Sequence, residues 1–241
     1  MKPVEFADIH QHVLWGLDDG SRSRRSMHAL LKQDAEEGIR LVYATTHAYP
    51  DMRPFDYALY NKRLAEANDW CESMGYDLKI LPGCEIHYCS NVPELLRSGR
   101  LPTLGDSEYA LIEFSPGDST DTILRAVDRI YGAGFTPILA HIERCHSLLR
   151  FPGRALRLKD EYDLIYQVNC ETIADPYGFF ERRFVRCMLR ERGIDVIATD
   201  AHHVFRRPAY MQEAYEEICD LCGRGYARRV TRFGFRLAEQ K

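Results

Sequence analysis

The 241-residue chain has no apolar run long enough to cross a membrane, and the stretch from Met1 to Glu5 lacks the apolar region of a signal peptide. It also has no block of five or six like charges, which argues against a nucleic-acid-binding tail and a polybasic membrane anchor. Internal repeats and linkers are absent as well, which predicts that residues 1–241 form a single domain. These absences predict a soluble, cytoplasmic protein with no membrane span and no nucleic-acid partner.

Neither sign of charge dominates, because 32 Lys and Arg residues face 36 Asp and Glu residues for a formal net charge of −4. Adjacent basic residues such as Arg182 and Arg183 are interpreted as parts of solvated helix faces. The eight cysteines are scattered, and Cys219 and Cys222 form the only Cys-x-x-Cys pair. Since a four-cysteine zinc site needs a second such pair, the cysteines are predicted to be free thiols packed in the core.

Short apolar, β-branched runs alternate with longer amphipathic segments along the chain. The strand-like runs are 4–9, 41–44, 78–81, 109–114, 136–140, 164–168 and 194–198, and the helix-like segments are 24–37, 56–74, 121–132, 179–191 and 208–221. This alternation is typical of parallel βαβ units in an α/β fold. Seven strand-like runs predict a closed or nearly closed barrel with helices outside, with an open doubly wound sheet as the alternative.

Residues that can bind metals follow six of the seven strand-like runs. They are His10, His12, His47, Glu85, Glu113, His141, Asp200 and His202. Because the carboxyl ends of parallel strands form one rim of a barrel, we expect these side chains to converge on one site. A lone histidine or acidic residue after a strand is usually a core, loop or helix-capping residue. Six such placements together favour a metal site instead, because imidazole and carboxylate groups are ligands of Mn, Fe and Zn.

Two aspartates follow in the loop after the first strand. Asp18, Asp19 and Gly20 form a turn-type sequence, because Asp-Gly pairs favour tight turns. Asp18 is interpreted as a turn residue alone, whereas Asp19 is expected to reach back to the rim as a further metal ligand.

Six short motifs around these residues carry a family resemblance. They are Asp8-Ile9-His10-Gln11-His12, Gly16-Leu17-Asp18-Asp19-Gly20, Ala44-Thr45-Thr46-His47, Gly83-Cys84-Glu85, Ala140-His141-Ile142-Glu143-Arg144 and Thr199-Asp200-Ala201-His202. Together they resemble the polymerase-and-histidinol-phosphatase (PHP) superfamily, and within it the bacterial metal-dependent protein tyrosine phosphatases of capsule and exopolysaccharide loci. The resemblance extends from Asp8 to about Pro208. The chain departs from the family pattern at Trp15, Thr46 and Ile142, where the family usually has proline.

The resemblance implies a distorted (β/α)7 TIM-like barrel that holds three divalent metal ions, with Mn²⁺ expected and Fe, Zn or Co as alternatives. The implied ligand groups are His10, His12, Glu85 and Asp200 for one ion, Glu85, Glu113 and His141 for a second, and Asp19, His47 and His202 for the third. Arg144 and Arg207 match the arginines with which the family contacts phosphate, so they are the expected catalytic and substrate-binding residues.

The predicted function is therefore hydrolysis of phosphotyrosine by a metal-dependent protein tyrosine phosphatase. The expected partner is a phosphotyrosine-containing protein, namely a bacterial tyrosine kinase that controls capsular or exopolysaccharide synthesis, and an oligomer is compatible with the sequence. Two alternatives would use the same rim: a small-molecule phosphoesterase such as histidinol phosphatase, and a non-catalytic regulatory module that binds metal. A cysteine phosphatase is not expected, because no Cys-x5-Arg loop is identified and the nearest spacing, from Cys145 to Arg150, is one residue short.

Overall fold

The computed structural model describes residues 4–239, in which short parallel strands alternate with helices. The strands are β1 (Phe6–Gln11), β2 (Ile39–Ala44), β3 (His47–Ala48), β4 (Lys79–Pro82), β5 (Glu85–His87), β6 (Tyr109–Glu113), β7 (Thr136–Leu139), β8 (Ile165–Asn169) and β9 (Val196–Ala198). The helices are α1 (Arg24–Glu37), α2 (Tyr57–Ser73), α3 (Val92–Arg97), α4 (Thr120–Tyr131), α5 (His146–Leu149), α6 (Pro152–Tyr162), α7 (Cys170–Ala174), α8 (Phe179–Arg190), α9 (Met211–Cys222), α10 (Arg224–Thr231) and α11 (Phe233–Glu239). Within this part of the chain, no helix combines the length and hydrophobicity needed to cross a bilayer.

The strands form two parallel sheets that follow one another around a curve. One sheet has the order β1-β2-β4, and the other has the order β3-β5-β6-β7-β8-β9. Only Thr45 and Thr46 separate β2 from β3, and only Gly83 and Cys84 separate β4 from β5, so both sheets follow the same path. This nearly sequential strand order differs from that of an open doubly wound sheet, in which the order reverses at a switch point.

The last strand returns to the first at the carboxyl end of the sheet. The backbone amide of Asp200 donates to the carbonyl of His10 at 2.8 Å, and that of His12 donates to the carbonyl of Ala201 at 3.0 Å. The result is a curled, parallel α/β sheet consistent with a distorted TIM-like barrel. The α/β class and the barrel-like curvature predicted from the sequence are confirmed, while the division into seven βα units stays a prediction.

The seven strand-like runs and five helix-like segments of the sequence each overlap an observed element. The sequence did not predict α6, α10 or α11. It also treated 85–106 as irregular, although this segment contains β5 and α3. All eight cysteines are free thiols as predicted, and Cys219 and Cys222 are partly buried against the core.

Side chains of the strands alternate between the barrel interior and the surrounding helices, as the period of two requires. Ala7 and Ile9 belong to the interior cluster, whereas Phe6 belongs to the layer under the helices. Helix α11 packs across the amino-terminal end of the interior, where the hydroxyl of Tyr43 donates to the carbonyl of Gly234 at 2.8 Å. A Cβ at Gly234 would lie 3.0 Å from both Ala7 and Ile9, so this close packing needs glycine. The interior therefore opens at the carboxyl end alone.

Glu37, the last residue of α1, joins this helix to the start of α9. Its Oε2 accepts a hydrogen bond from the backbone amide of Met211 at 3.1 Å. Burial, and then the nearby Glu213, raise the pKa of Glu37 to about 7. The folded protein therefore binds this proton more tightly than the unfolded chain does. The stabilising contribution of Glu37 is fully present below its ordinary pKa of about 4.5 and is lost as the pH rises through 7.

We expect Glu37→Gln to raise the free energy of unfolding by about 1–2 kcal/mol at pH 8 and to change it little near pH 5, because glutamine keeps the acceptor and removes the charge. Urea denaturation between pH 5 and 8 measures the difference from the unmodified protein. Glu36→Gln is the matched control, since Glu36 is exposed beside Lys32. A gain that is the same at every pH would contradict the titration of Glu37.

Candidate metal centre

The carboxyl ends of the strands bring all nine predicted metal-binding residues to one rim. His10 and His12 come from the end of β1, Asp19 from the loop that follows, His47 from β3, Glu85 from β5, Glu113 from the end of β6, His141 from the residue pair after β7, and Asp200 and His202 from the segment after β9. His10, His12, Glu85, His141, Asp200 and His202 are buried. The side chains of His47, Glu113 and Asp19 are 13%, 20% and 66% exposed.

Local strand geometry explains why two of these residues meet. The interruption between β4 and β5 lets Glu85 pair in register with His47 of β3. A Cβ at Gly83 would lie 3.1 Å from the side chain of Leu104 and 3.2 Å from that of Thr45, so this interruption accommodates little more than glycine. The motif Gly83-Cys84-Glu85 thus serves packing and site geometry together.

The side chains form three groups. Within each group, every residue offers one nitrogen or oxygen atom, and these atoms all lie within 4.8 Å of one another. The groups are His10, His12, Glu85 and Asp200; His12, Asp19, His47 and His202; and His47, Glu85 and Glu113. The first group has the composition that the family resemblance implies, and the second adds His12 to an implied group. In the third, His47 stands where His141 was expected. The Nε2 atom of His141 lies 2.7 Å from Glu85 Oε1 and 3.7 Å from Glu113 Oε1.

Glu85 occupies the centre of this arrangement. Its Oε2 atom lies 3.0 Å from His47 Nδ1, 3.1 Å from His12 Nε2 and 3.2 Å from His10 Nε2. Despite these short distances, Oε2 has no hydrogen bond of acceptable geometry within the described residues. Lone pairs that converge without hydrogen bonding are what a shared cation requires, so these residues fit a metal centre.

Three histidines are oriented by acceptors on the far side of their rings. The Nδ1 atom of His10 faces Gln167 Oε1 at 3.1 Å, that of His12 faces Asp18 Oδ2 at 2.8 Å, and that of His202 faces the carbonyl of Asp200 at 2.8 Å. In a neutral ring each Nδ1 therefore carries the proton and donates it. This leaves the Nε2 lone pair directed at the cluster, as metal-binding histidines require.

The buried carboxylates and imidazoles of the cluster shift one another's pKa values. Burial opposes ionisation of Glu85, but the charge of His10 and the hydrogen bond between His141 and Glu85 Oε1 lower the pKa of Glu85 well below its usual range. Burial likewise opposes a charge on His10, yet Glu85 and Asp200 raise the pKa of His10. Burial and the neighbouring His12 lower the pKa of His202 to about 4, so His202 is neutral at pH 7. The carboxylates at this point thus require positive charge, which protons or metal ions can provide.

Asp200 also binds both arginines that the sequence singled out. Its Oδ2 atom lies 2.8 Å from Arg144 Nη2 and 2.5 Å from Arg207 Nη2. Its Oδ1 atom faces His10 and His12 at 3.5 and 3.4 Å. One carboxylate therefore links the guanidinium groups to the metal-binding groups.

Two amide side chains of β8 form a hydrogen-bonded ladder beneath the cluster. Gln167 Oε1 accepts from the backbone amide of His141 at 2.8 Å as well as facing His10, and its Nε2 donates to Asn169 Oδ1 at 2.8 Å. Asn169 Nδ2 then donates to Asp200 Oδ2 at 2.8 Å. This amide ladder (Gln167 and Asn169) fixes three elements of the site. The sequence did not indicate Gln167, because glutamine on a strand carries no metal-binding signal.

Asp18 has a larger role than the turn inferred from its sequence. Its Oδ1 accepts from the amide of Gly20 at 3.0 Å, which is the expected turn contact. Its Oδ2 accepts from the amide of His47 at 3.0 Å and orients His12. A buried, ionised aspartate that holds two metal-binding histidines is a common device for fixing ligand geometry.

Two residues of the rim adopt unusual backbone conformations. His141 has a φ of 28° and Asp200 a φ of 52°, in the left-handed region that favours glycine. These conformations direct the imidazole of His141 and the carboxylate of Asp200 from sharp turns at the ends of β7 and β9 toward Glu85 and the histidines of β1.

A cavity of about 770 Å³ opens beside His47. Tyr49, Phe55, Tyr57 and Tyr60 are among the residues that line it. The ring of Tyr49 lies 5.2 Å from that of His47, centre to centre. An aromatic-lined cavity (the His47 cavity) therefore adjoins the metal centre. The ring of Trp15, another rim aromatic, packs under Arg63 instead.

The chain does contain one Cys-x5-Arg spacing, from Cys222 to Arg228, outside the segment considered in the sequence. Cys222 is the last residue of α9, and its Sγ donates to the carbonyl of Leu189 at 3.3 Å. Burial raises the pKa of Cys222, whereas a nucleophilic cysteine needs a lowered pKa. The spacing therefore does not form a cysteine-phosphatase site.

We expect Gln167→Leu to weaken Mn²⁺ binding about 10- to 100-fold, because leucine removes the acceptor that orients His10 and the donor to Asn169. Isothermal titration of metal-free protein with Mn²⁺ measures this change. Gln212→Leu is the matched control, since the Gln212 side chain donates to Glu216 on α9. Equal Mn²⁺ affinity in the two variants would show that the amide ladder does not position the metal-binding groups.

Comparison with proteins of known structure shows the same fold. A crystal structure described as YwqE from Bacillus subtilis and CpsB from Streptococcus pneumoniae, unique metal-dependent tyrosine phosphatases, matches with a TM-score of 0.89 at 24% identity, covering 98% of this chain and 95% of the other. Histidinol phosphate phosphatase from Lactococcus lactis matches with a TM-score of 0.58 at 15% identity, covering 91% of this chain and 95% of the other.

Sequence comparison identifies the family. Tyrosine-protein phosphatase CpsB of Streptococcus pneumoniae is 33% identical over 229 residues, which are 92% of this chain and 93% of that protein. Tyrosine-protein phosphatase YwqE of Bacillus subtilis is 26% identical over 211 residues, covering 86% of this chain and 81% of that protein. The family model for capsular polysaccharide synthesis, CpsB/CapC, matches residues 6–233. The family resemblance inferred from the rim motifs is thereby confirmed, and the chain belongs to the CpsB/CapC family.

Proposed function

We propose that this chain is a metal-dependent protein tyrosine phosphatase that hydrolyses phosphotyrosine at the rim. The observation that carries the proposal is the meeting of Arg144 and Arg207 at Asp200 Oδ2, next to the metal-binding groups. A site that combines guanidinium groups with cations suits a phosphoryl dianion. Relatives that are tyrosine-protein phosphatases support the same activity.

The proposal includes three divalent ions, with Mn²⁺ expected and Fe, Zn or Co as alternatives. One would be held by His10, His12, Glu85 and Asp200, a second by Glu85, Glu113 and His141, and the third by Asp19, His47 and His202. When bound, such ions would supply a water of lowered pKa as nucleophile and neutralise the phosphoryl oxygens. Three ions and four carboxylates leave a formal charge of about +2, to which the two arginines add, so the rim attracts anions.

Arg144 and Arg207 hold the phosphoryl oxygens in this proposal. Their side chains are 42% and 31% exposed, so each guanidinium faces the opening of the barrel in part. A guanidinium has five N–H donors, and the contact with Asp200 uses one Nη2 of each. The remaining donors are available to the equatorial oxygens as negative charge develops on them.

A tyrosine side chain suits the site as the leaving group. Its phenol, with a pKa of about 10, needs less protonation on departure than a serine alkoxide does. The His47 cavity, at about 770 Å³, lies within the range of ordinary ligand pockets and presents Tyr49 and Phe55 to a ring. We therefore assign this cavity to the substrate tyrosine and its flanking residues.

The family supports a proposal for the protein substrate and the process in which this chain acts. The proposed substrate is a bacterial tyrosine kinase that controls capsular or exopolysaccharide synthesis, in keeping with a family of capsular polysaccharide synthesis. The protein would act in the cytoplasm. We also propose that residues 1–241 form one (β/α)7 barrel domain, in which β2 with β3 and β4 with β5 each count as one interrupted strand.

With Mn²⁺ present, we expect a higher kcat/KM for a phosphotyrosyl peptide than for histidinol phosphate, because the His47 cavity is lined by aromatic side chains. Phosphate release from each substrate measures the preference. EDTA should abolish the activity, and Mn²⁺ should restore it. Preference for histidinol phosphate would support a small-molecule phosphoesterase, and metal binding without turnover would support a regulatory module.

We expect Arg144→Ala to lower kcat/KM for a phosphotyrosyl peptide. The expected loss in the free energy of transition-state binding is about 2–4 kcal/mol. Steady-state kinetics measures the loss, and Mn²⁺ titration shows whether the metal-binding groups are intact. Arg125→Ala is the control, since Arg125 is exposed on α4. An unchanged kcat/KM would contradict the phosphate-binding role of Arg144.

A further inference from the structure

One side of α8 presents a row of arginines to solvent. Arg182, Arg183, Arg186 and Arg190 are exposed on this helix. Arg150, exposed after α5, lies beside them, because its carbonyl accepts from Arg183 Nη1 at 3.4 Å. We call these five residues, Arg150, Arg182, Arg183, Arg186 and Arg190, the arginine face. It concentrates positive charge in a chain whose net charge is −4.

Within the described part of the chain, the guanidinium groups of the arginine face form no close ion pairs, although Glu191 lines the same groove and Asp175 and Glu217 lie near Arg182 and Arg186. Among residues 4–239, no carboxylate forms an ion pair within 4.0 Å with any of its five guanidinium groups. Arg182, Arg186 and Arg190 succeed one another at a spacing of four, where like charges destabilise a helix by a few tenths of a kcal/mol per pair. An anionic partner that binds this surface would relieve the repulsion between the guanidinium groups.

The arginine face is recessed rather than flat. A groove of about 430 Å³ runs along it, lined by Phe179, Arg182, Arg183, Arg186, Cys187, Arg190 and Glu191. Phe179 is 75% exposed. A groove of this kind fits an extended peptide better than it fits the plane of a membrane. Guanidinium forks match carboxylates in particular, since they bind them through two parallel hydrogen bonds.

The arginine face lies mainly on α8, a helix that contacts the turn carrying Arg144. Helix α8 follows β8 after the short helix α7, and the last residue of β8, Asn169, donates to Asp200. Arg150 follows Arg144 after α5, so the second chain connection also leads from the rim to the arginine face. A polypeptide whose phosphotyrosine occupies the rim can therefore continue along α8.

We propose that the arginine face binds an acidic, Asp- and Glu-containing segment of the phosphotyrosyl protein substrate. The inference rests on the proposed function and adds a substrate class to it. The metal centre and its arginines act on the phosphoryl group, while the arginine face selects proteins whose phosphotyrosine has acidic sequence near it. Recognition at this surface lowers KM and leaves the chemical step unchanged.

The test compares three substrates with the Mn²⁺-loaded protein. They are a phosphotyrosyl peptide with glutamate-rich segments on both sides, the same peptide with every glutamate replaced by glutamine, and p-nitrophenyl phosphate. We expect the glutamate peptide to have about a tenfold higher kcat/KM than the glutamine peptide, through KM. The double variant Arg182→Glu/Arg186→Glu should lose this preference and hydrolyse p-nitrophenyl phosphate normally. A peptide with lysine in place of glutamate should then favour the double variant.

Arg125→Glu/Arg236→Glu is the matched control, because it reverses two exposed arginines on α4 and α11. Equal kcat/KM for the glutamate and glutamine peptides in the unmodified protein would overturn the inference and leave the proposed function intact. So would an equal loss on all three substrates in the double variant. Binding of phosphatidylserine vesicles that depends on Arg182 and Arg186, with no peptide preference, would assign the face to a lipid surface. Failure of the unmodified protein to hydrolyse any substrate would refute the proposed function itself.

Discussion

The structure depends on the burial of an ionised carboxylate, Glu85, among imidazole rings at the mouth of the barrel. A charge removed from water at this depth costs several kcal/mol unless opposite charge lies beside it. The surrounding residues cannot relieve Oε2 by hydrogen bonding, since none reaches it with suitable geometry. The strand ends, the turns and the oriented histidines are therefore arranged around a position that positive charge must occupy. A cation bound at this atom would couple metal binding to folding.

The sequence predicts the site well because strand periodicity and strand ends are local properties. His10 and His12 share a face by the period of two, and the runs before Glu113 and His141 are apolar enough to be identified as strands. What the sequence could not predict depends on contacts between distant residues. Asp18 is a turn residue locally, and only the fold shows that it accepts from the amide of His47.

The same limit applies to the amide ladder and to the grouping of the histidines. Gln167 lies on a predicted strand like any polar residue, and its role arises only when the curled sheet brings it within hydrogen-bonding distance of His10 and of the turn after β7. His47 joins Glu85 and Glu113 in one group because the interruptions after β2 and β4 set its register with Glu85. Helices α6, α10 and α11 were not predicted, although α10 buries Tyr226, Ala227 and Val230 at the spacing typical of an amphipathic helix.

The left-handed backbone of His141 and Asp200 has an evolutionary consequence. A non-glycine residue in such a conformation costs on the order of 1–3 kcal/mol, with aspartate at the lower end. This conformational cost is the price of directing the imidazole of His141 and the carboxylate of Asp200 into the cluster. Glycine at the turn of Asp200 would relieve this strain but would leave Arg144, Arg207 and Asn169 without their shared acceptor, so a descendant could shed the strained backbone only by replacing these partners as well.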